Sequence, residues 1–346
     1  MSISQEPPRV YLDTNHWIRL LKISQGIEKN EKLEKIFEII KELTKSDKIR
    51  VLYSAFTLNE IWKYHEIQEQ HKLIDLILDV SQQWVLKPHN LFQKKEIENA
   101  ATFVLKGKYI HNLNAEMVGK GLAAIFDTSF DHMNKKHLLA WTLLKNNPYG
   151  ISEDFFRKDF QKHSEDLENT KQTLKDGRLQ KLHKEIFEEN KKLIENMEDL
   201  RQKNSTMNKD LFSRYSMARS LIDSVVPHLS VFMLSNQIKP EELFGKDPIS
   251  KIAKEKINLL SKHLNSLNVM SVLVLSRDLT TQKKISPNDV YDIAHLSGAI
   301  PYCDVVVTDK MAARISRQKK LDEMYDCIIL ERLEELSQIE PIKSQI

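Results

Sequence analysis

Short apolar runs stand at both ends of the chain, and between them lies a long stretch in which apolar residues return every three or four positions. Val10-Tyr11-Leu12 is the first run, and it ends in Asp13-Thr14-Asn15, polar residues that favour helix starts, ahead of Ile18, Leu20 and Leu21. That order predicts a strand, a turn and a helix. After a loop at 24–30, Leu33, Ile36, Phe37, Ile39, Ile40 and Leu43 share one helical face, and Arg50-Val51-Leu52-Tyr53 supplies a second strand. Phe56, Leu58, Ile61 and Trp62 then open another helix, which places Glu60 near its start, just past the second strand. A β-α-β unit at the front of the chain is the expectation.

From residue 66 to residue 269 strand-like signals nearly vanish, and a large helical insertion is predicted. Within it Leu182, Ile186, Leu193, Met197 and Leu200 trace an approximate heptad seam, which fits either a coiled-coil arm or an amphipathic helix packed on its own domain. The opening pattern then returns. Met270 to Ser276 is apolar, a basic loop runs from Arg277 to Lys284, a helix follows from Pro287 to Ile300, and Val305-Val306-Val307 has the composition of a buried parallel strand. Met311 to Ile315 opens a helix, and Cys327 to Leu330 is a further strand candidate. For one sheet to form, the two ends must meet. The predicted fold is α/β, a parallel sheet flanked by helices and assembled from residues 1–65 and 270–346, with an all-helical insertion at 66–269.

Composition sharpens this picture. Only 8 glycines occur in 346 residues, which favours long helices over a many-turned β fold. A net charge of +3 creates no global positive field, so any nucleic-acid surface has to be local. Cys303 and Cys327 have no CxxC spacing, which argues against a zinc site and for a reducing, cytoplasmic setting. No apolar leader and no run of about 18 apolar residues is present, so neither export nor membrane insertion is expected.

Candidate chemistry follows from where the acids fall. In an open parallel sheet, ligands bind beyond the carboxyl ends of the strands. Asp13 follows the first strand, Glu60 opens the helix after the second, Asp309 follows the triple-valine strand, and Asp292 lies near the start of the helix before it. Four carboxylates gathered together repel unless a cation neutralises them, and a set of hard oxygen donors points to Mg²⁺ or Mn²⁺. Such ions hydrolyse phosphodiesters. Each acid also has a structural alternative: Asp13 as a helix N-cap, Glu60 as a solvated helix residue. His295, at i+3 from Asp292, has two readings, a contact to substrate or ligand and a hydrogen-bonded buried histidine. Arg277, Lys283, Lys284, Arg314 and Arg317 form a candidate rim for phosphates. Asp289 belongs instead to a helix-capping sequence at residues 286–289.

Taken together these motifs resemble the PIN-domain nucleases. Val10–Asn15 (VYLDTN) is similar to that family's opening strand motif, Ser54–Glu60 (SAFTLNE) to its second, and Asn288–Asp309 (NDVYDIAHLSGAIPYCDVVVTD) to its third and fourth acidic motifs. The resemblance covers about a third of the chain. It implies that Asp13, Glu60, Asp292 and Asp309 hold Mg²⁺ or Mn²⁺, that Asn15 and Thr308 orient them, and that the activity is endonucleolytic cleavage of RNA. Two departures stand out: the family's last acid commonly lies two residues beyond the threonine, whereas Asp309 adjoins Thr308 and Asp304 is a rival, and the insertion after Glu60 is unusually long. A structure-specific DNA nuclease and a catalytically silent nucleic-acid-binding or scaffold protein are the competing expectations. A homo-oligomer and a protein partner stay open.

Overall fold

A computed structural model of the chain describes residues 6–63, 66–87, 89–121, 124, 166–175, 225–247, 250–280 and 287–346. Six strands form one sheet: β1 (Arg9–Leu12), β2 (Arg50–Ser54), β3 (Trp84–Leu86), β4 (Val118–Lys120), β5 (Val305–Val307) and β6 (Ile328–Leu330), in the order β4-β3-β2-β1-β5-β6. All neighbours are parallel except β3 and β4, which run antiparallel. Two expectations change here. The sheet is mixed rather than purely parallel, and β3 and β4 arise from the stretch read as all-helical. Both are three residues long, and Val118-Gly119-Lys120 holds a single large apolar residue, so neither builds up a detectable period of two.

The helices are α1 (Thr14–Ser24), α2 (Glu31–Lys45), α3 (Ala55–Ile61), α4 (Ile67–Ser81), α5 (His89–Lys106), α6 (Leu113–Glu116), α7 (Leu167–Leu174), α8 (Val226–Ser235), α9 (Pro240–Phe244), α10 (Lys251–Lys262), α11 (Asn265–Thr280), α12 (Pro287–Tyr302), α13 (Lys310–Gln318) and α14 (Leu321–Tyr325). The apolar run Met270–Ser276 lies inside α11 and is not a strand. Continuous apolar runs do not reveal their own period, and here helix packing decided it. The heptad-like seam at 182–200 lies outside the described residues. Among the described residues no helix is long and apolar enough to cross a membrane.

Alternation along the strands sorts the core into two layers. Val10, Leu12, Val51, Tyr53, Val305 and Val307 meet Trp17 and Leu20 of α1, Ile36 and Ile40 of α2, and Ile74 and Ile77 of α4. Tyr11, Leu52, Val306 and Ile329 point the other way, onto Val269 and Leu273 of α11, Leu296, Ala299 and Ile300 of α12, and Ala313 of α13. Burial on both faces is why the central strands read as unbroken apolar runs. From β1 the chain steps outward to β2 and β3, then returns to lay β5 on the opposite flank of β1. The order of strands therefore reverses between β1 and β5, and at such a point an α/β sheet leaves a crevice beyond its strand ends.

A third apolar cluster joins Ile97, Ala100 and Ala101 of α5 to Leu229 and Met233 of α8 and to Leu260, Leu264 and Leu267. One buried carboxylate ties this helical layer to the sheet layer. Glu96 of α5 accepts the Ser266 N–H at 3.0 Å and the Ser266 hydroxyl at 2.7 Å, capping the first turn of α11, and also accepts the Tyr302 hydroxyl from the end of α12. Burial pushes its pKa up to about 7, against the lowering effect of the Tyr302 and Ser266 donors. Since the folded-state pKa is raised, this group's contribution to stability is complete below about pH 4.5 and is lost as pH rises through about 7. Unfolding experiments at pH 5 and pH 8 should differ by on the order of 3 kcal/mol from this residue, and Glu96→Gln should flatten that part of the profile. Parallel pH profiles for the two proteins would assign the dependence elsewhere.

Candidate metal centre

Asp13 sits where β1 becomes α1. Its backbone N–H continues the pairing with β5 by donating to the Val307 carbonyl at 3.0 Å, and one side-chain oxygen, Oδ1, caps α1 by accepting the Thr14 N–H at 2.6 Å. The other, Oδ2, faces the Thr308 hydroxyl at 3.4 Å. The side chain is buried, so this carboxylate caps α1 with almost no access to water.

Asp292 and His295 reach the same place from α12. A spacing of three puts them on one helical face, just ahead of Leu296 and Ala299, which pack against the sheet. Asp292, Asp13 and His295 each offer a ligand atom, and the three atoms lie within 4.8 Å of one another. His295 is buried between the Tyr11 and Phe56 rings, and its two nitrogens have unequal partners. Nδ1 is 2.9 Å from the Tyr11 hydroxyl, whereas Nε2 is 3.4 Å from Asp292 Oδ1. Tyr11 in turn contacts Ser54 Oγ at 3.1 Å, and Ser54 caps α3 by accepting the Thr57 N–H.

The charges are strongly coupled by burial. Desolvation raises the pKa of Asp13; His295, His16 and the Thr14 N–H pull it down, and Asp292 pushes it further up. Glu60, half-buried on α3, is likewise raised by burial and by Asp13 and Asp292, with Thr14 and His295 opposing. For His295 burial favours the neutral ring, but its hydrogen bond to Asp292 and the charges of Asp13, Asp292 and Glu60 outweigh that and raise its pKa. Lys63 feels the same field: burial lowers its pKa while Glu60 and Asp292 oppose. The site thus holds more negative charge than a buried site favours.

The expected residues divide clearly. Asp13 and Asp292 come together, and Glu60 adjoins them without entering the group at ligand spacing. Asp309 follows β5 as expected, but its Oδ1 caps α13, accepting the Met311 N–H at 2.6 Å and the Ala312 N–H at 3.1 Å, and it is absent from the ligand-spaced group among the described residues. Asp304, its rival, lies at the opposite end of β5, just before the strand begins, where Oδ2 accepts the Arg9 N–H at 2.6 Å. Thr308 faces Asp13, whereas Asn15 is solvent-exposed on α1. Arg277 is buried in α11 and does not supply an exposed rim; Arg314 is exposed on α13, Arg317 pairs with Glu331, and Lys283 and Lys284 lie outside the described residues.

An all-oxygen donor set was expected; the ligand-spaced group among the described residues also includes the His295 imidazole. Three contributors went unmarked in the sequence: Tyr11, Lys63 and His16, whose ring donates to the Thr308 carbonyl and leaves Nε2 without a partner. Tyr11 did carry a signal. A tyrosine in a buried run needs a partner for its hydroxyl, and alternation with Val10 and Leu12 aims it at the α12 face.

No protein-family model, no curated protein and no solved structure matches the chain, so the resemblance to PIN-domain nucleases rests on the quoted motifs.

Asparagine at position 13 keeps the cap on α1 and removes one charge from the crowded group. With divalent ions chelated at neutral pH, Asp13→Asn should raise the thermal midpoint by about 1–3 °C. A fall of several degrees would mean that the carboxylate serves the fold.

Proposed function

We propose that this chain is a divalent-metal-dependent endonuclease that hydrolyses phosphodiester bonds, with RNA as its substrate. One observation carries the reading: residues 13 and 292, far apart in sequence, place carboxylates within ligand spacing of one another at the switch point of the sheet, with Glu60 beside them. The residues present fit a divalent ion. Oxygens and an imidazole nitrogen are suitable donors, crowded negative charge favours a cation, and the buried Thr14 hydroxyl facing Glu60 has no hydrogen-bond partner of normal geometry. Asp13, Asp292 and His295 would hold the ion.

A bound Mg²⁺ or Mn²⁺ supplies a water of lowered pKa and positive charge against the phosphate oxygens. The chain's own groups do the rest. The Thr14 N–H and the Thr308 hydroxyl hold the two oxygens of Asp13 in place, and α12 presents Asp292 and His295 on one face. Glu60 keeps a carboxylate next to the group, placed to accept a proton, and burial raises its pKa. Lys63 keeps positive charge beside Glu60 and Asp292, and Arg314 adds an exposed cation on α13.

A second reading has its own observation. His295 and Lys63 bring two cationic groups to the acids, which lets the cluster persist without an ion, as in a nucleic-acid-binding or scaffold protein. Labelled RNA and DNA incubated with the purified protein and Mg²⁺, Mn²⁺ or EDTA separate the two. Cleavage of RNA that EDTA abolishes, and that Asp13→Asn and Asp292→Asn each reduce by roughly 100-fold or more, is the expected result. Wild type and variants behaving alike on every substrate would favour the scaffold; cleavage confined to branched or flapped DNA would change the substrate.

A further inference from the structure

We infer that His295 is a nitrogen ligand of the bound ion, that Tyr11 is the positioning residue which turns Nε2 of that ring toward Asp13 and Asp292, and that the centre therefore takes Mn²⁺ in preference to Mg²⁺. The inference rests on the preceding reading that the site holds a divalent ion, and goes beyond it by naming the donor atom, its support and the class of metal.

The two nitrogens of His295 are not equivalent. Nδ1 lies 2.9 Å from the Tyr11 hydroxyl, a normal hydrogen-bond length, while the contact from Nε2 to Asp292 Oδ1 is 3.4 Å, longer than such bonds usually are. A buried ring nitrogen with only a long contact is an under-satisfied group. It faces Asp292, and one ring nitrogen of His295 lies with ligand atoms of Asp13 and Asp292 inside a 4.8 Å neighbourhood. The buried hydroxyl of Thr14 lies on the Glu60 side of the same group and makes no hydrogen bond of normal geometry there.

Tyr11 decides which nitrogen is available. The Tyr11 hydroxyl has two neighbours, His295 Nδ1 and Ser54 Oγ. Its proton can go to Ser54 Oγ at 3.1 Å, and Ser54 Oγ lies 3.3 Å from Thr57 Oγ1, which accepts the Ser54 proton in turn. With the chain running in that direction, the Tyr11 oxygen accepts the N–H of Nδ1 and the lone pair is left on Nε2. A histidine ligand whose other nitrogen is fixed in this way is the usual arrangement in metal sites, where the supporting group contributes 10- to 100-fold in affinity. The support here is rigid: Tyr11 lies in the central strand with no exposed surface, and Ser54 is locked as the cap of α3.

The donor set then bears on the metal. Carboxylate oxygens suit both Mg²⁺ and Mn²⁺, whereas imidazole is a transition-metal ligand, and of these two ions only Mn²⁺ is a transition metal. One nitrogen among carboxylates tilts the site toward Mn²⁺.

The test uses the full chain and Mn²⁺ as the probe. Electron paramagnetic resonance of free Mn²⁺ gives the affinity, Mg²⁺ competition gives the preference, and pulsed measurements detect ¹⁴N coupled to the bound ion; the site ion is the one lost in Asp13→Asn. Expected are ¹⁴N coupling in the wild type, its loss in His295→Gln, and a roughly 10-fold loss of Mn²⁺ affinity in Tyr11→Phe with a smaller loss for Mg²⁺, so that the preference narrows. A purely structural role for Tyr11 would lower both affinities alike. A site ion with no nitrogen coupling, or coupling that survives in His295→Gln, overturns the inference and leaves the carboxylate site standing. If no Mn²⁺ is lost in Asp13→Asn, the metal-dependent reading falls with it.

Discussion

The parallel pairing of β5 with β1 is the contact on which everything else in this protein depends. It registers Val10 with Val305 and Leu12 with Val307, joining the first strand of the chain to one nearly 300 residues later. Loop-closure entropy rises only logarithmically with length, so such a distant closure costs little more than a moderate one. Two buried faces offset it. Val305 and Val307 enter one apolar layer and Val306 the other, and the pairing sets Thr308 level with Asp13. Without that register α12 would not lie over Tyr11, and Asp292 and His295 would have no site to join.

Stability and chemistry pull in different directions at this crevice. The fold needs a cap at the start of α1, which a neutral asparagine would supply, yet it holds a buried aspartate whose ionised form is disfavoured. Glu60 repeats the pattern on α3, while the imidazole of His295 and the ammonium of Lys63 moderate the repulsion. Departures from what local stability would select often mark functional sites. Glu96 is a contrast: an equally buried carboxylate that is engaged by Ser266 and Tyr302, joins three helices, and belongs to no ligand-spaced group of three among the described residues.

The parts of the fold that were legible in the sequence share one physical property, a period long enough to count. α1, α2 and α3 and the four strands buried on both faces announced themselves through spacing and apolar runs, and the α/β class followed. β3 and β4 did not, because a strand of three residues samples barely one repeat and its place is set by the β2 edge it extends. Met270–Ser276 gave no element for the opposite reason: uniform apolarity suits a buried strand and a buried helix equally, and α11 is buried against both the sheet layer and α5. At the site, the strand-end rule located Asp13 and the helix spacing paired Asp292 with His295. The same rule treated Asp309 as Asp13's equivalent, although its carboxylate is occupied by two backbone donors of α13. Which of two strand-end acids turns inward is a matter of rotamer and neighbours, and a linear sequence does not encode it at sight. Tyr11 was visible only once the helix opposite it was known.

A crystal grown with Mn²⁺ and measured at a wavelength where manganese scatters anomalously tests the central claim most directly. The account places an anomalous peak between Asp13, Asp292 and His295, with Asp309 still folded back onto the start of α13. A peak held by Asp309 with His295 turned away, or no peak beside Asp13 at saturating Mn²⁺, would contradict it.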